Sequence, residues 1–204
     1  KPVIVFSGHE AANAPTPTST CKPTGVCEDD ADKSCTADID CLGKIPCCAD
    51  HLEQQLFPVF TWGKDYLAVR SYPRGEELDI WRLLASQDGT EVILDPSVAT
   101  VPTLNAGQWY EFESDKDFVI TATKRIMVGQ FLAGEKSRNA GIGDPAFMLS
   151  VPQRQFRDSY VFLAPGKSTE GAIGYAEDYV SIAVINLSGA RLDGTSLEEL
   201  VNQK

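Results

Sequence analysis

The stretch Phe118-Val-Ile-Thr-Ala-Thr-Lys-Arg-Ile-Met-Val-Gly-Gln-Phe-Leu132 decides the fold class. It reads as two strands, Phe118–Thr123 and Ile126–Leu132, joined by Lys124-Arg125 as a two-residue connection. The same period of two extends in both directions. Upstream lie Tyr66–Arg70, a turn at Pro73-Arg74-Gly75, the mostly apolar Asp79–Leu84, a hairpin signal at Asp88-Gly89 and Thr90–Leu94. A turn at Asn105-Ala-Gly107 precedes Gln108–Phe112. Downstream, the polar, Gly-rich Ala133–Asp144 reads as an exposed loop. It is followed by strand candidates at Phe147–Val151, Tyr160–Leu163, Tyr179–Leu187 and Ala190–Leu192. Short strands at roughly 8–12-residue spacing, with turn residues between them, imply a β-sandwich or jelly roll.

The N-terminal third differs. Pro2–Phe6 is a short β-branched run and reads as a strand. Ala14–Thr20 alternates Pro, Thr and Ser as an extended linker. All six cysteines, Cys21, Cys27, Cys35, Cys41, Cys47 and Cys48, fall in one acidic segment almost without large apolar residues. Crosslinks must replace a core there, so a disulfide-stapled module is expected, with 15 possible pairings. Zinc is the rival reading, but no C-x-x-C pair is present. In Ala49–Leu56, Leu52 and Leu56 lie four apart with Asp50 in the first turn, which predicts a short helix stopped by Pro58.

The chain has 204 residues, 43% of them hydrophobic, and a formal charge of −11. That composition supports a real core and disfavours nucleic acid, whose phosphates need Lys and Arg. No apolar run is long enough for a signal peptide or a membrane span. The cysteine usage implies an oxidising compartment, extracellular or at the cell surface.

An internal echo runs through the second half. Trp62-Gly-Lys-Asp-Tyr66-Leu answers Phe156-Arg-Asp-Ser-Tyr160-Val, 94 residues on. Asp79–Ala85 answers Asp178–Val184, 99 residues on, and Gly89–Asp95 answers Gly189–Asp193. The pattern implies two tandem β units, the second incomplete, with Ser196–Lys204 helical or disordered. The expected fold is therefore all-β: two sandwich or jelly-roll-like units, a disulfide-rich insertion and one short helix. The expected segments are an N-terminal strand and linker (1–20), a cysteine-rich acidic insertion with the helix (21–56), the first sandwich unit (57–152) and a partial second unit (153–204). An incomplete sandwich leaves strand edges open, so the chain is expected to be a piece of a longer polypeptide, completed by Pro2–Phe6 or by strands from another chain.

Chemistry-bearing motifs are few. No P-loop, Gly-x-Ser-x-Gly or Gly-x-Gly-x-x-Gly occurs, and Asp144-Pro145 breaks the chain after Gly141-Ile-Gly143. The only histidines, His9 and His51, have neighbouring acids at Glu10, Asp50 and Glu53, a set better suited to hydrogen bonding than to a metal. Asp29, Asp30, Asp32, Asp38 and Asp40 form the candidate ligand set for calcium. Their spacing lacks the central glycine and final glutamate of an EF-hand loop, and solvated charge is the stronger reading, so no cofactor is required. Trp62, Trp81 and Trp109 are expected in the core. Arg154 and Arg157 are expected to pair with Asp158 or Asp144.

Several motifs stand in a telling order. These are Val5-Phe-Ser-Gly-His9-Glu10-Ala, Cys47-Cys48-Ala-Asp-His-Leu-Glu-Gln-Gln-Leu-Phe-Pro58 and Trp62-Gly63-Lys64-x-Tyr66. Val128-Gly-Gln-Phe131, Gly143-Asp-Pro-Ala-Phe147 and Phe156-Arg-Asp-Ser-Tyr160-Val-Phe-Leu163 follow. In this order they resemble the IgGFc-binding protein N-terminal domain family, from about Val3 to Gly194. The resemblance implies a bacterial secreted or surface member with a non-enzymatic binding or adhesion role. Its partner would be a protein or glycan at a cell surface or matrix. Two alternatives stand beside it: a structural subunit of a filament or matrix assembled by strand sharing, and a carbohydrate-active or metal-dependent hydrolase. Thermal melting tests the acidic set. A Tm unchanged by chelator is the expected outcome for solvated charge, and a lowered Tm identifies calcium.

Overall fold

A computed structural model describes residues 3–12, 23–25, 50–134, 143–163 and 178–201. The chain divides into two compact units, Lys1–Tyr160 and Val161–Lys204. Among the described residues the fold is mostly antiparallel β-sheet with one short helix.

The first unit is built on one strand. The strands in order are β1 (Phe6–Ala12), β2 (Asp50–Gln55), β3 (Gly63–Ala68), β4 (Asp79–Ala85), β5 (Val92–Asp95), β6 (Trp109–Ser114), β7 (Phe118–Leu132) and β8 (Ala146–Leu149). β7 runs unbroken for 15 residues and pairs with β3, β4, β5 and β8; β6 joins through β4. Lys124-Arg125 is therefore not a turn. Two-residue hairpins need residues that accept positive φ, usually Gly, Asn or Asp, and neither Lys nor Arg does so readily.

The register shows how β7 serves four partners. Ile120 pairs with Tyr66 of β3 on one edge and Leu94 of β5 on the other. Gly129 pairs with Arg82 of β4 and Leu149 of β8 in the same way. Ile126 faces both Gly63 of β3 and Ala85 of β4, so β3 and β8 share one edge and β5 and β4 the other. The Asp88-Gly89 turn does form, with Gly89 at φ 62°, but it makes no hairpin. The strands on either side of it lie end to end along β7.

β7 cannot be straight. Trp81, which pairs with Gln130, packs edge-on against Phe118 with ring centroids 5.1 Å apart. Twelve residues of straight strand would separate positions 118 and 130 by about 40 Å. The sheet must fold over, and it does so around 122–125. There β3 shifts register between Gly63 and Asp65, and β4 gives way to β5. The folded sheet encloses the core of Tyr66, Ala68, Trp81, Leu83, Leu94, Phe112, Phe118, Ile120, Ala122, Ile126 and Val128.

The Tyr66 hydroxyl closes the bend. It donates to the Ile126 carbonyl at 2.6 Å and accepts from the Gly63 N–H at 3.0 Å, although its own backbone stands opposite Ile120. Burial pushes its pKa from 10.0 up to about 12, against the opposing effects of the Gly63 hydrogen bond and the Arg154 charge.

Elsewhere the expectations need correction. Asp50–Gln55 is strand β2, not a helix, and pairs antiparallel with β1. An isolated two-turn helix is unstable in water, whereas the β1–β2 ladder satisfies the backbone and buries Leu52. The first strand begins at Phe6, where the Pro2–Phe6 run was expected to end, and its partner lies in the first unit. Ala133, at the start of the expected loop, is fully buried. In the second unit β9 (Arg191–Leu192) pairs with β10 (Thr195–Ser196), and a short helix, α1, spans Leu197–Val201. Residues 161–163 and 178–187 belong to no strand, although their sequences favour one.

Tyr66→Phe is expected to cost about 1–3 kcal/mol by leaving two buried backbone groups short of a partner. Between pH 10 and pH 12 the folded state keeps the Tyr66 proton while the unfolded state releases it. The stability from this group is full below pH 10 and is lost as pH rises towards 12, by roughly 2–3 kcal/mol. Urea titrations across that range should show the gap between wild type and Tyr66→Phe narrowing.

Candidate functional site

Alternation along β4, β6, β7 and β8 sends one set of side chains into the core and the other onto the outer face. Register places Leu84 beside Trp109 and Met127 in the first outer row. Glu111, Arg82, Gly129 and Leu149 form the second, and Glu113, Ile80, Phe131 and Phe147 the third. At the centre of this lattice Gly129 has no side chain, and the neighbours use the space.

The Phe147 ring lies over Gly129, where a Cβ would come within 2.9 Å of it. Phe147 stacks on Phe131 with centroids 4.5 Å apart and planes 9° from parallel. The Arg82 guanidinium lies between two rings, 4.7 Å from the Trp109 centroid and 5.0 Å from that of Phe131. Its Nε and Nη2 both donate to Glu111 Oε2, at 2.9 and 2.5 Å. The result is a ribbon of Trp109, Arg82, Phe131 and Phe147 across four strands. Trp109 is 57% exposed, and Phe131 and Phe147 are half-buried, so this face presents an exposed indole to solvent with its cation already fixed.

A second polar cluster sits at the start of β4. Glu77 and Asp79 are both buried. Glu77 accepts from the Arg74 and Gly75 N–H groups, each at 2.7 Å, with Arg74 Nε 3.5 Å away. Burial raises its pKa, but those backbone donors and the Arg74 charge outweigh it and hold the carboxyl below the usual range. Asp79 accepts from the Ser71 N–H at 2.7 Å and Gln130 Nε2 at 2.6 Å. Arg74 also donates to the Ala133 carbonyl at 2.6 Å, tying this loop to the end of β7. These carboxylates hold a loop in place. The stability that Glu77 supplies is present above the ordinary carboxylate range and is lost as pH falls through its lowered pKa.

The residues expected from sequence to carry a site lie elsewhere. The six cysteines and Asp29, Asp30, Asp32, Asp38 and Asp40 lie outside the described residues. His51 Nε2 meets Glu53 Oε2 at 3.1 Å on the surface. Among the described residues no group of three or more His, Cys, Asp or Glu side chains is placed to hold a metal. Trp81 and Trp62 are buried as expected; Trp109 is not. Its exposure was legible in the period of Trp109-Tyr-Glu-Phe-Glu113, which puts Trp109 on the face of the two glutamates and opposite Phe112. Arg154 bonds the carbonyls of Phe60 and Trp62, at 2.8 and 2.6 Å, rather than an acid. Those carbonyls converge on it because the turns at 59–61 and 153–155 pack together.

One family model, described as IgGFc binding protein, matches residues 1–203. The chain belongs to that family. Neither the curated proteins nor the solved structures give a match. The family is one of binding proteins, and in this IgGFc-binding family chain the outer ribbon is an exposed aromatic–cation surface of the first unit. Among the described residues no helix is long and apolar enough to cross a membrane.

Gly129→Ala is expected to cost about 1–3 kcal/mol, because the Phe147 ring must leave its seat. Arg82→Ala, at an exposed pair, should cost no more than about 1 kcal/mol. Urea unfolding checks both, and Phe147→Ala combined with Gly129→Ala should recover part of the loss.

Proposed function

We propose that this chain is a non-enzymatic extracellular binding and adhesion module that engages a partner protein through the Trp109–Arg82–Phe131–Phe147 ribbon. The observation that carries the reading is an exposed tryptophan whose neighbouring guanidinium is stacked and ion-paired before any partner arrives. Trp and Arg dominate the energetics of protein interfaces, and a cation already held in place loses little freedom on binding. The family membership supports a binding role, and its description names one partner class, the Fc part of IgG. The cysteine-rich segment supports an oxidising, extracellular setting. On this reading no cofactor is needed.

Immobilised IgG Fc is the first probe, read by surface plasmon resonance. Saturable binding is expected, and Trp109→Ala and Arg82→Ala should each weaken it at least tenfold. Lys116→Ala, a lysine outside the ribbon, should leave it unchanged. Binding that survives both ribbon substitutions in folded variants would place the contact elsewhere. No binding at all would remove Fc as the partner.

A further inference from the structure

The polar pair beside Trp109 is only half used. Arg82 gives its Nε hydrogen and one from Nη2 to a single oxygen, Glu111 Oε2. Both hydrogens of Arg82 Nη1, and Glu111 Oε1, are left without a partner among the described residues. The two side chains are 44% and 36% exposed, so these spare groups face solvent. They are nonetheless held in place, because the guanidinium lies 4.7 Å from the Trp109 ring centroid and 5.0 Å from that of Phe131. Trp109 and Glu111 stand two residues apart on β6, which sets their backbones about 7 Å apart along one face. An indole platform and a fixed donor–acceptor pair therefore lie within the span of one small ring.

These features restrict what fits over them. An apolar peptide face suits the indole but buries the spare donors and the spare acceptor unpaired, which costs stability in the complex. An ion has nothing to gain, since the Arg82 and Glu111 charges cancel, and an anion also meets a chain of formal charge −11. The ligand that leaves nothing unpaired is neutral, offers one face of C–H groups, and carries adjacent hydroxyls at its rim, each able to donate and to accept. A pyranose sugar has that build. In galactose the axial hydroxyl clears one face of the ring to bare C–H groups, which suits stacking on a flat aromatic.

We propose that Trp109, Arg82 and Glu111 form a binding site for a neutral, galactose-type pyranose. Its C–H face stacks on the exposed indole, Arg82 Nη1 donates to one rim hydroxyl, and Glu111 Oε1 accepts from the neighbouring one. This inference deepens the partner-protein reading above and rests on the ribbon being a binding surface. The group it assigns is a sugar carried by that partner, and a free saccharide of the same chemistry fills the site in the same way.

The probe is lactose, a galactose-terminated disaccharide, titrated into the full 204-residue chain while NMR follows the indole N–H signals of its three tryptophans. The Trp109 signal, assigned by its loss in Trp109→Phe, is expected to shift saturably, with those of the buried Trp62 and Trp81 unmoved. Glu111→Ala should weaken binding at least fivefold, and unchanged Trp62 and Trp81 signals report that this variant is folded. Sorbitol, which has the hydroxyls but no ring, should give no saturable shift, and galacturonate should bind at least fivefold more weakly than galactose. No saturable shift at Trp109, an equal response to sorbitol, a preference for galacturonate or full binding by Glu111→Ala overturns the proposal. Immobilised chain should capture albumin carrying coupled lactose and not plain albumin; capture of neither overturns the assignment to a carried sugar. Fc bound through the ribbon with no response to lactose overturns this inference alone, whereas lactose bound at Trp109 with Fc unbound supports it and removes Fc alone.

Discussion

The first unit depends on one phenol. β7 has to leave one half of the sheet and enter the other within a few residues, and nothing in an extended backbone by itself fixes how far it turns. The Tyr66 hydroxyl fixes it, reaching from opposite Ile120 to the carbonyl of Ile126 while also taking the N–H of Gly63. Two backbone groups left over by the register shift are thereby paired inside a core where water cannot reach them. The Trp81–Phe118 contact, and with it the core, follows from that bend.

The same constraint shapes the outer surface. Once the C-terminal half of β7 is set between β4 and β8, the outward positions of four strands fall into rows, with Gly129 as the one missing side chain. Phe147 and Arg82 settle around that gap, and Trp109 closes the ribbon from β6. An exposed aromatic–cation surface thus arises from sheet register alone, without a cleft or a loop.

Much of this was legible in sequence, and the misses have physical causes. The all-β class followed from period two and turn residues. Lys124-Arg125 looked like a connection because charge interrupts two apolar runs. In fact the strand runs on through them, with Thr123 N donating to the Glu91 carbonyl at 2.9 Å and Ser86 N to the Arg125 carbonyl at 3.1 Å. Leu52 and Leu56 fitted a helix by spacing, yet pairing with β1 decided the outcome, since short segments take their conformation from their partners. Trp109 was assigned to the core by residue type, when its position relative to Phe112 and Glu111 already placed it outside. The Arg82 stack was beyond sequence, because it requires knowing that β6 lies beside β4 and β7 beyond it.

The packed turns at 59–61 and 153–155 carry a mechanical consequence. The chain enters the six-stranded sheet just after Thr61 and leaves it just before Gln153. Arg154 and Gln155 fasten those two points together through the carbonyls of Phe60, Thr61 and Trp62. Traction applied between those two points therefore loads this clasp before the sheet and passes from one side to the other without stretching it. While the clasp holds, a tethered protein of this design keeps its first unit folded, and the ribbon on its outer face stays assembled under pull.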